Sequence, residues 1–209
     1  MSSSTRRPSP TPTERGRRAR DAIIDAACAL VYDNGIAATS VDNVLAASST
    51  GKSQFYHYFS GKQELLTAVI GRQLDRVLAS QPRLEGLSTW REFDEWAADI
   101  IAHHSTPAGP MACPLGCLVG ELDSEPLLAR ALDAAYRQWE APLAHGLRTL
   151  RDRGELRTAA DPDRLAATTM AALQGGLMLA HLRHDVTVLT DTLTMALDHL
   201  KSHRARRSR

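Results

Sequence analysis

The densest run of chemistry-bearing side chains in this 209-residue chain is Lys52-Ser53-Gln54-Phe55-Tyr56-His57-Tyr58-Phe59. Wound as a helix at about 100° per residue, it turns Phe55 and Phe59 to one side, Ser53, Gln54 and His57 to the other, and leaves Tyr56 on the shoulder. A glutamine amide can pair bidentately with adenine, and hydroxyls and imidazoles can take base edges or phosphates. Lys52 and, beyond the helix, Lys62 can neutralise phosphates at either end. Phe55, Phe59 and Tyr58 are expected in the core.

A second group, His103, His104, Cys113 and Cys117, raises the question of zinc. Zinc cysteines come as compact pairs two to four residues apart, and here proline-rich chain separates the thiols from the histidines, so no bound metal is expected. A Cys-x3-Cys thiol switch is the alternative use of Cys113 and Cys117. The spacing favours neither, and Cys117 and Cys28 are expected to be small buried hydrophobes. Nothing has the form of an active site: there is no phosphate loop, no dinucleotide fingerprint and no spaced acid pair that a helix surface does not explain. No cofactor is expected.

The elements that must position the reading run are short helices. Ile23, Ala27, Leu30 and Val31 mark an amphipathic helix ended by Asn34-Gly35. Ser40 can cap a second helix carrying Val41, Val44 and Leu45 on one face. Ser48 to Gly51 supplies a tight turn, the run at 52–59 follows, and Ser60-x-x-Gln63 has the spacing of a capping box opening a helix to about Ala79. Two short helices joined by a tight turn and braced by a first helix are what a helix-turn-helix reader requires. Beyond Pro82 longer apolar stripes follow. Pro142 predicts a kink or break, and Asp161-Pro162 starts a helix through about Leu182. Leu189, Leu193, Leu197 and Leu200 define the last helix.

Composition agrees with helices: 43% hydrophobic residues, 5% aromatic, abundant alanine and no alternating strand pattern. The net charge of +1 conceals segregation, since the stretch through Arg20 and the stretch from Lys201 each carry +5 and the body between them carries −9. Basic ends suit a phosphate backbone. Neither a signal-peptide core nor an apolar run long enough to span a membrane is evident, so a cytoplasmic protein without membrane partners is the expectation.

The stretch Thr39-Ser40-Val41 through Lys52-Ser53-Gln54-Phe55-Tyr56-His57-Tyr58-Phe59, then Gly61-Lys62-Gln63-Glu64-Leu65, resembles the DNA-binding domain of TetR-family transcriptional repressors. The chain departs from that pattern at Asn43-Val44-Leu45 and at the turn Ser48-Ser49-Thr50-Gly51. There Ser49 takes the usual glycine place and Gly51 removes a hydroxyl. The resemblance implies that Lys52, Tyr56, His57 and Lys62 match phosphate contacts and that Ser53 and Gln54 match base readers. With Ser40, these are the candidate DNA-binding residues.

The implied architecture is all-α: an N-terminal three-helix helix-turn-helix bundle plus a C-terminal helical bundle for ligand binding and dimerisation. The expected organisation is a disordered basic arm at 1–17, a DNA-binding domain with connecting helix at 18–79, a ligand-binding and dimerising domain at 80–203, and a basic tail at 204–209. Expected partners are double-stranded operator DNA, a small apolar or aromatic effector, and a second copy of the chain.

The resemblance extends loosely from Gly109-Pro110 through Cys113-Pro114-Leu115-Gly116-Cys117 to Leu122, similar to a loop-and-helix segment of small-molecule-responsive members. With three tryptophans concentrated in this half, the candidate ligand residues are Trp90, Phe93, Trp96, Met111, Tyr136, Trp139, Met170, Gln174 and Met178. Gly175 and Gly176 cost helix stability, so a close approach is expected there. A palindrome reader needs a dimer, so Gly175, Gly176, Leu189, Leu193 and Leu197 are the expected interface, with an intrachain contact as the alternative. The competing function classes are an all-helical, transferase-like enzyme and a thiol- or metal-sensing regulator.

Overall fold

The computed structural model describes residues 14–107, 111–122 and 125–205. Most of the expected N-terminal arm, before Glu14, and the tail after Ala205 lie outside the described residues. The helices are α1 (Glu14–Ala38), α2 (Val41–Ser48), α3 (Lys52–Tyr58), α4 (Lys62–Ala79), α5 (Trp90–His104), α6 (Pro126–Asp152), α7 (Pro162–Arg183) and α8 (Thr187–Ser202). Short 3-10 helices occupy Pro82–Gly86 and Gly116–Glu121. Among the described residues extended pairing is limited to one bridge, Leu156 with Arg204.

The chain divides into two compact units, one through Val69 and one from Ile70. The division falls inside α4 and not at its end near residue 79 as expected. Helix α1 also begins within the supposed arm, so residues 14–17 are helical.

The first unit is held by Ile23, Ile24, Ala27 and Cys28 of α1, Val44 and Leu45 of α2, Phe55 and Phe59 at α3, and Leu65 and Val69 of α4. Gly35, at φ 82° and ψ 169°, interrupts α1 where the Asn-Gly pair predicts a stop. Ser40 caps α2 in a full capping box: its hydroxyl accepts from the Asn43 N–H at 3.1 Å, and the Asn43 side chain accepts from the Ser40 N–H at 3.0 Å. At the start of α4 Glu64 reaches back, accepting from the Ser60 N–H at 2.7 Å and its hydroxyl at 2.8 Å. These bonds hold the Glu64 carboxyl below its ordinary pKa.

In the second unit α6 runs unbroken through Pro142. A mid-helix proline costs about 3 kcal/mol. Here Trp139 before it and Leu143, Leu147 and Leu150 after it are all buried, so both halves are fixed to the same core. Gly146 admits a close approach. An added Cβ there would stand 2.8 Å from both the Cβ and the carbonyl oxygen of Leu87. Residues 155–157 tie down the end of the described chain: the Arg157 N–H donates to the His203 carbonyl at 3.0 Å and the Ala205 N–H to the Glu155 carbonyl at 2.9 Å.

Candidate DNA-reading surface and effector-domain core

Ser49 closes the turn between α2 and α3 in the left-handed region, at φ 53° and ψ 36°, where glycine would sit without strain. The turn is held by the Thr50 N–H donating to the Leu45 carbonyl at 3.1 Å and by the Ser48 hydroxyl donating to the Val44 carbonyl at 2.7 Å. Gly51 then stands at the N-cap of α3 with no side-chain cap bond, and nothing lies within 4 Å of where its Cβ would be.

Helix α3 is short, and two rings anchor it. Phe55 and Phe59 are fully buried, 5.5 Å apart between centroids, with Tyr58 partly buried beside them. That anchorage turns Lys52, Ser53, Gln54, Tyr56 and His57 outward, Tyr56 with 59% of its surface exposed. Lys52 meets Asp42 at 3.2 Å, and both side chains are more than two-thirds exposed, so the pair is weak and open to exchange for a phosphate.

Two further candidates, Ser40 and Lys62, also bond within the chain. The Ser40 hydroxyl serves the α2 cap. Lys62 donates from Nζ to the Ile36 carbonyl at 2.7 Å, tying the start of α4 to the end of α1. Arg20, unremarked in the sequence, lies over the Phe59 ring at 5.4 Å from its centroid. Its only advance sign is membership of a basic run.

In the second unit the candidate ligand residues separate into groups. Trp96 and Trp139 are fully buried, and both indole N–H groups donate to one acceptor, Oε1 of Gln81, at 3.1 and 3.3 Å. Gln81 escapes a periodicity reading because it lies in the connection after α4. Tyr136 stacks on Trp139 at 18°, centroids 6.1 Å apart, and donates its hydroxyl to Gln174 Oε1 at 3.2 Å. Gln174 Nε2 faces Met170 Sδ at 3.8 Å, and the sulfur of the buried Cys113 accepts from the Gly116 N–H at 3.4 Å. Burial pushes the Tyr136 hydroxyl and the Cys113 thiol above their ordinary pKa values.

Trp90 and Phe93 form a separate pair, centroids 6.3 Å apart, with Arg204 over the Trp90 ring. Met111 and Met178 are exposed and take no part in the interior, a correction to the expected set. Cys117 corrects a further expectation, being exposed while Cys113 is the buried thiol. His104 is half-buried with its Nδ1 enclosed and without a hydrogen-bond partner. Burial, with a smaller contribution from His103, takes its pKa down to about 4. Among the described residues no group of three or more His, Cys, Asp or Glu side chains converges as a metal site.

Residues 23–69 match the model of the bacterial regulatory proteins of the tetR family, and residues 92–196, half of the chain, match the tetracyclin repressor-like C-terminal domain. The chain belongs to the TetR family of transcriptional regulators. An uncharacterised helix-turn-helix regulator from the lacX 3' region of Lactococcus lactis subsp. lactis is 29% identical over 83% of this chain and 88% of its own. The transcriptional regulator AcuR of Cereibacter sphaeroides is 28% identical over 78% and 77%. A TetR regulator structure from Chloroflexus aurantiacus superposes with a TM-score of 0.75 at 23% identity, over 93% of this chain and 100% of that one, and shows the shared fold. The chain is thus a DNA-binding regulator of the TetR repressor type, and the relatives named are transcriptional regulators.

For this TetR-family chain the expected interface residues need correction. Leu189 and Leu193 are fully buried and Leu197 nearly so within one chain. Gly176 faces α8, where an added Cβ would lie 3.1 Å from Leu189 and 3.2 Å from Thr192, so its close approach is intrachain. Gly175 has nothing within 4 Å of its missing Cβ. The exposed large apolar side chains of α7 and α8 are Met178 (63%), Leu182 (72%) and Met195 (62%). Helix α7 also has the length and apolar composition of a membrane span, which the sequence reading did not anticipate. Leu165, Met170, Leu173 and Leu177 are buried within the bundle, as in the core helix of a folded domain.

Proposed function

We propose that this chain is a dimeric, effector-responsive repressor that reads an inverted-repeat operator through α3 and leaves it when a small, mostly apolar molecule enters the second unit. The observation that carries the DNA half is the sidedness of α3. Phe55 and Phe59 fix the helix, and Lys52, Ser53, Gln54, Tyr56 and His57 form an outward face of donors, acceptors and positive charge. Lys52, Tyr56 and His57 suit phosphate, and Ser53 and Gln54 suit base edges.

Dimerisation through α7 and α8 is supported by the exposed Met178, Leu182 and Met195, large apolar groups on a helix pair whose inward faces are already filled. An effector changes operator affinity only if it binds one arrangement of the protein more tightly than another. Helix α4 begins in the first unit and continues into the second, where the Gln81 N–H donates to the Leu78 carbonyl at 3.0 Å and the Gln81 side chain accepts from Trp96 and Trp139. A shift of α5 or α6 around an effector therefore acts on the end of the helix whose start braces the reader.

The test is reciprocity. A compound that changes the fluorescence of Trp90, Trp96 or Trp139 is expected to weaken operator binding, and operator to weaken binding of the compound by the same factor. Equal affinity with and without operator contradicts the effector reading while leaving the DNA reading intact. Conversion of the compound without any DNA linkage marks an enzyme instead.

A further inference from the structure

The geometry points to a neutral hydrogen-bond acceptor on an apolar skeleton, such as a ketone, aldehyde or ester oxygen, as the effector chemistry that Cys113, Tyr136 and Gln174 select. The inference rests on the effector-responsive reading above and specifies its ligand.

The three side chains come from separate places in the chain: Cys113 from the segment before the 3-10 helix Gly116–Glu121, Tyr136 from α6 and Gln174 from α7. Gly116 closes over them. An added Cβ there would stand 3.1 Å from Gln174 Oε1 and 3.3 Å from the Cys113 Cβ, so the main chain lies tight against both side chains. The Gly116 N–H donates to Cys113 Sγ at 3.4 Å.

One donor of the group faces only a weak acceptor. Tyr136 supplies one O–H, Gln174 two N–H and Cys113 one S–H, whereas the strong acceptors are the Gln174 and Tyr136 oxygens. The Tyr136 hydroxyl takes Gln174 Oε1, and the amide nitrogen is left facing a thioether at 3.8 Å, a weak acceptor. Sheltered donors gain most from a partner that supplies an oxygen. An oxygen placed against Gln174 Nε2 replaces the sulfur as acceptor.

The sign of charge selects among oxygens. Among the described residues, the ionisable groups that bear on Cys113, Cys117 and Tyr136 are each other and Glu121, all of the acid type. A carboxylate would find no compensating cation in that set, and its transfer from water would be unfavourable. A carbonyl oxygen meets neutral donors. The flat Tyr136–Trp139 stack beside the donors suits an apolar or aromatic skeleton.

The experiment titrates the full-length protein with acetophenone, ethylbenzene and benzoate, which share a ring and carry a neutral acceptor, none, and a charged one. A linear ketone, alkane and carboxylate of matched length form a second set. Tryptophan fluorescence reads binding, and retention of a selected operator duplex reads release. Within at least one set the ketone is expected to bind at least tenfold more tightly than the hydrocarbon, with the carboxylate weakest. Gln174→Met and Tyr136→Phe should each bring the ketone-to-hydrocarbon ratio toward one, while the hydrocarbon's own affinity stays near its original value. Tightest binding by the carboxylate, an unchanged ratio in both variants, or binding of no compound in either set overturns the proposal. Operator release by hydrocarbon or carboxylate alone overturns it too but upholds effector response. Selective ketone binding that leaves operator affinity untouched upholds the site and overturns effector response.

Discussion

Lys52 and Lys62 carry the same charge at the two ends of the reading segment, yet their surroundings separate them. Lys52 shares a solvent-exposed carboxylate at 3.2 Å, an interaction worth about 0–1 kcal/mol and readily exchanged. Lys52→Ala is expected to weaken binding to all duplexes and to lower the slope of log K against log salt by about one, measured by titration at several salt concentrations. Gln54→Ala should instead cost about 1–3 kcal/mol of discrimination at one base pair of each half-site, read in a competition assay with single-base variants. Lys62→Ala loses the bond to the Ile36 carbonyl. It should destabilise the protein by about 1–2 kcal/mol in denaturant while changing the salt slope less than Lys52→Ala.

His104 gives a pH signature at the same scale. Its pKa of about 4 in the folded chain lies below the ordinary histidine value, so the unfolded chain binds the proton first. Stability should rise with pH between about 4 and 6.5 and level off above. Discounted for solvent screening at a half-buried group, the effect is about 1 kcal/mol, or about 2–4 °C in Tm. His104→Gln should flatten that dependence in thermal scans across the window, and a retained slope assigns it to other groups.

The outward face of α3 was legible in the sequence because helical geometry follows from residue order once Phe55 and Phe59 are taken as the anchor. The uses of Ser40 and Lys62 were less so. Ser40 could be expected at a cap, where its oxygen accepts the Asn43 N–H, but the partner that Asn43 supplies in return is not visible in the spacing. Lys62 finds a carbonyl twenty-six positions away that no local pattern reveals.

At the scale of elements, glycines distinguish close approach from mere permissiveness. Gly146→Ala forces its Cβ against the Leu87 backbone and the Phe93 ring, and should destabilise the second unit by about 1–3 kcal/mol in denaturant titration despite alanine's better helix propensity. Gly175 and Gly176 stand side by side in sequence and signal a close contact equally. Only the rotation of α7 against α8 shows that Gly176 makes it. Pro142 misleads for a related reason: its local preference for a break is opposed by buried residues in both halves of α6, which pattern reading sees singly. Gln81, the shared acceptor of two buried indoles, lies in a connection where periodicity carries no information.

At the scale of the whole molecule, α4 belongs to both units, and the division at Val69 and Ile70 cuts a helix that reads as continuous in sequence. The all-helical class and two-part organisation were legible because capping residues and apolar stripes recur at helical spacing through both parts. The face available to a second copy was not, since Leu189, Leu193 and Leu197 form the stronger stripe and are consumed inside the chain. The replacements Met178→Glu and Met195→Glu together place charge on the exposed apolar side. They should give a monomer by sedimentation velocity and at least a tenfold loss of operator affinity. A dimer that persists places the interface elsewhere.

The reading face on α3 is tested most directly by selecting bound duplexes from a random pool with the purified protein and footprinting the enriched sequence. The expected result is an inverted repeat protected in two half-sites about 34–36 Å apart or a multiple of that, with Gln54→Ala losing the base preference within each half-site. No enriched sequence, or the same sequence enriched by a protein lacking both the Lys52 and Gln54 side chains, contradicts it.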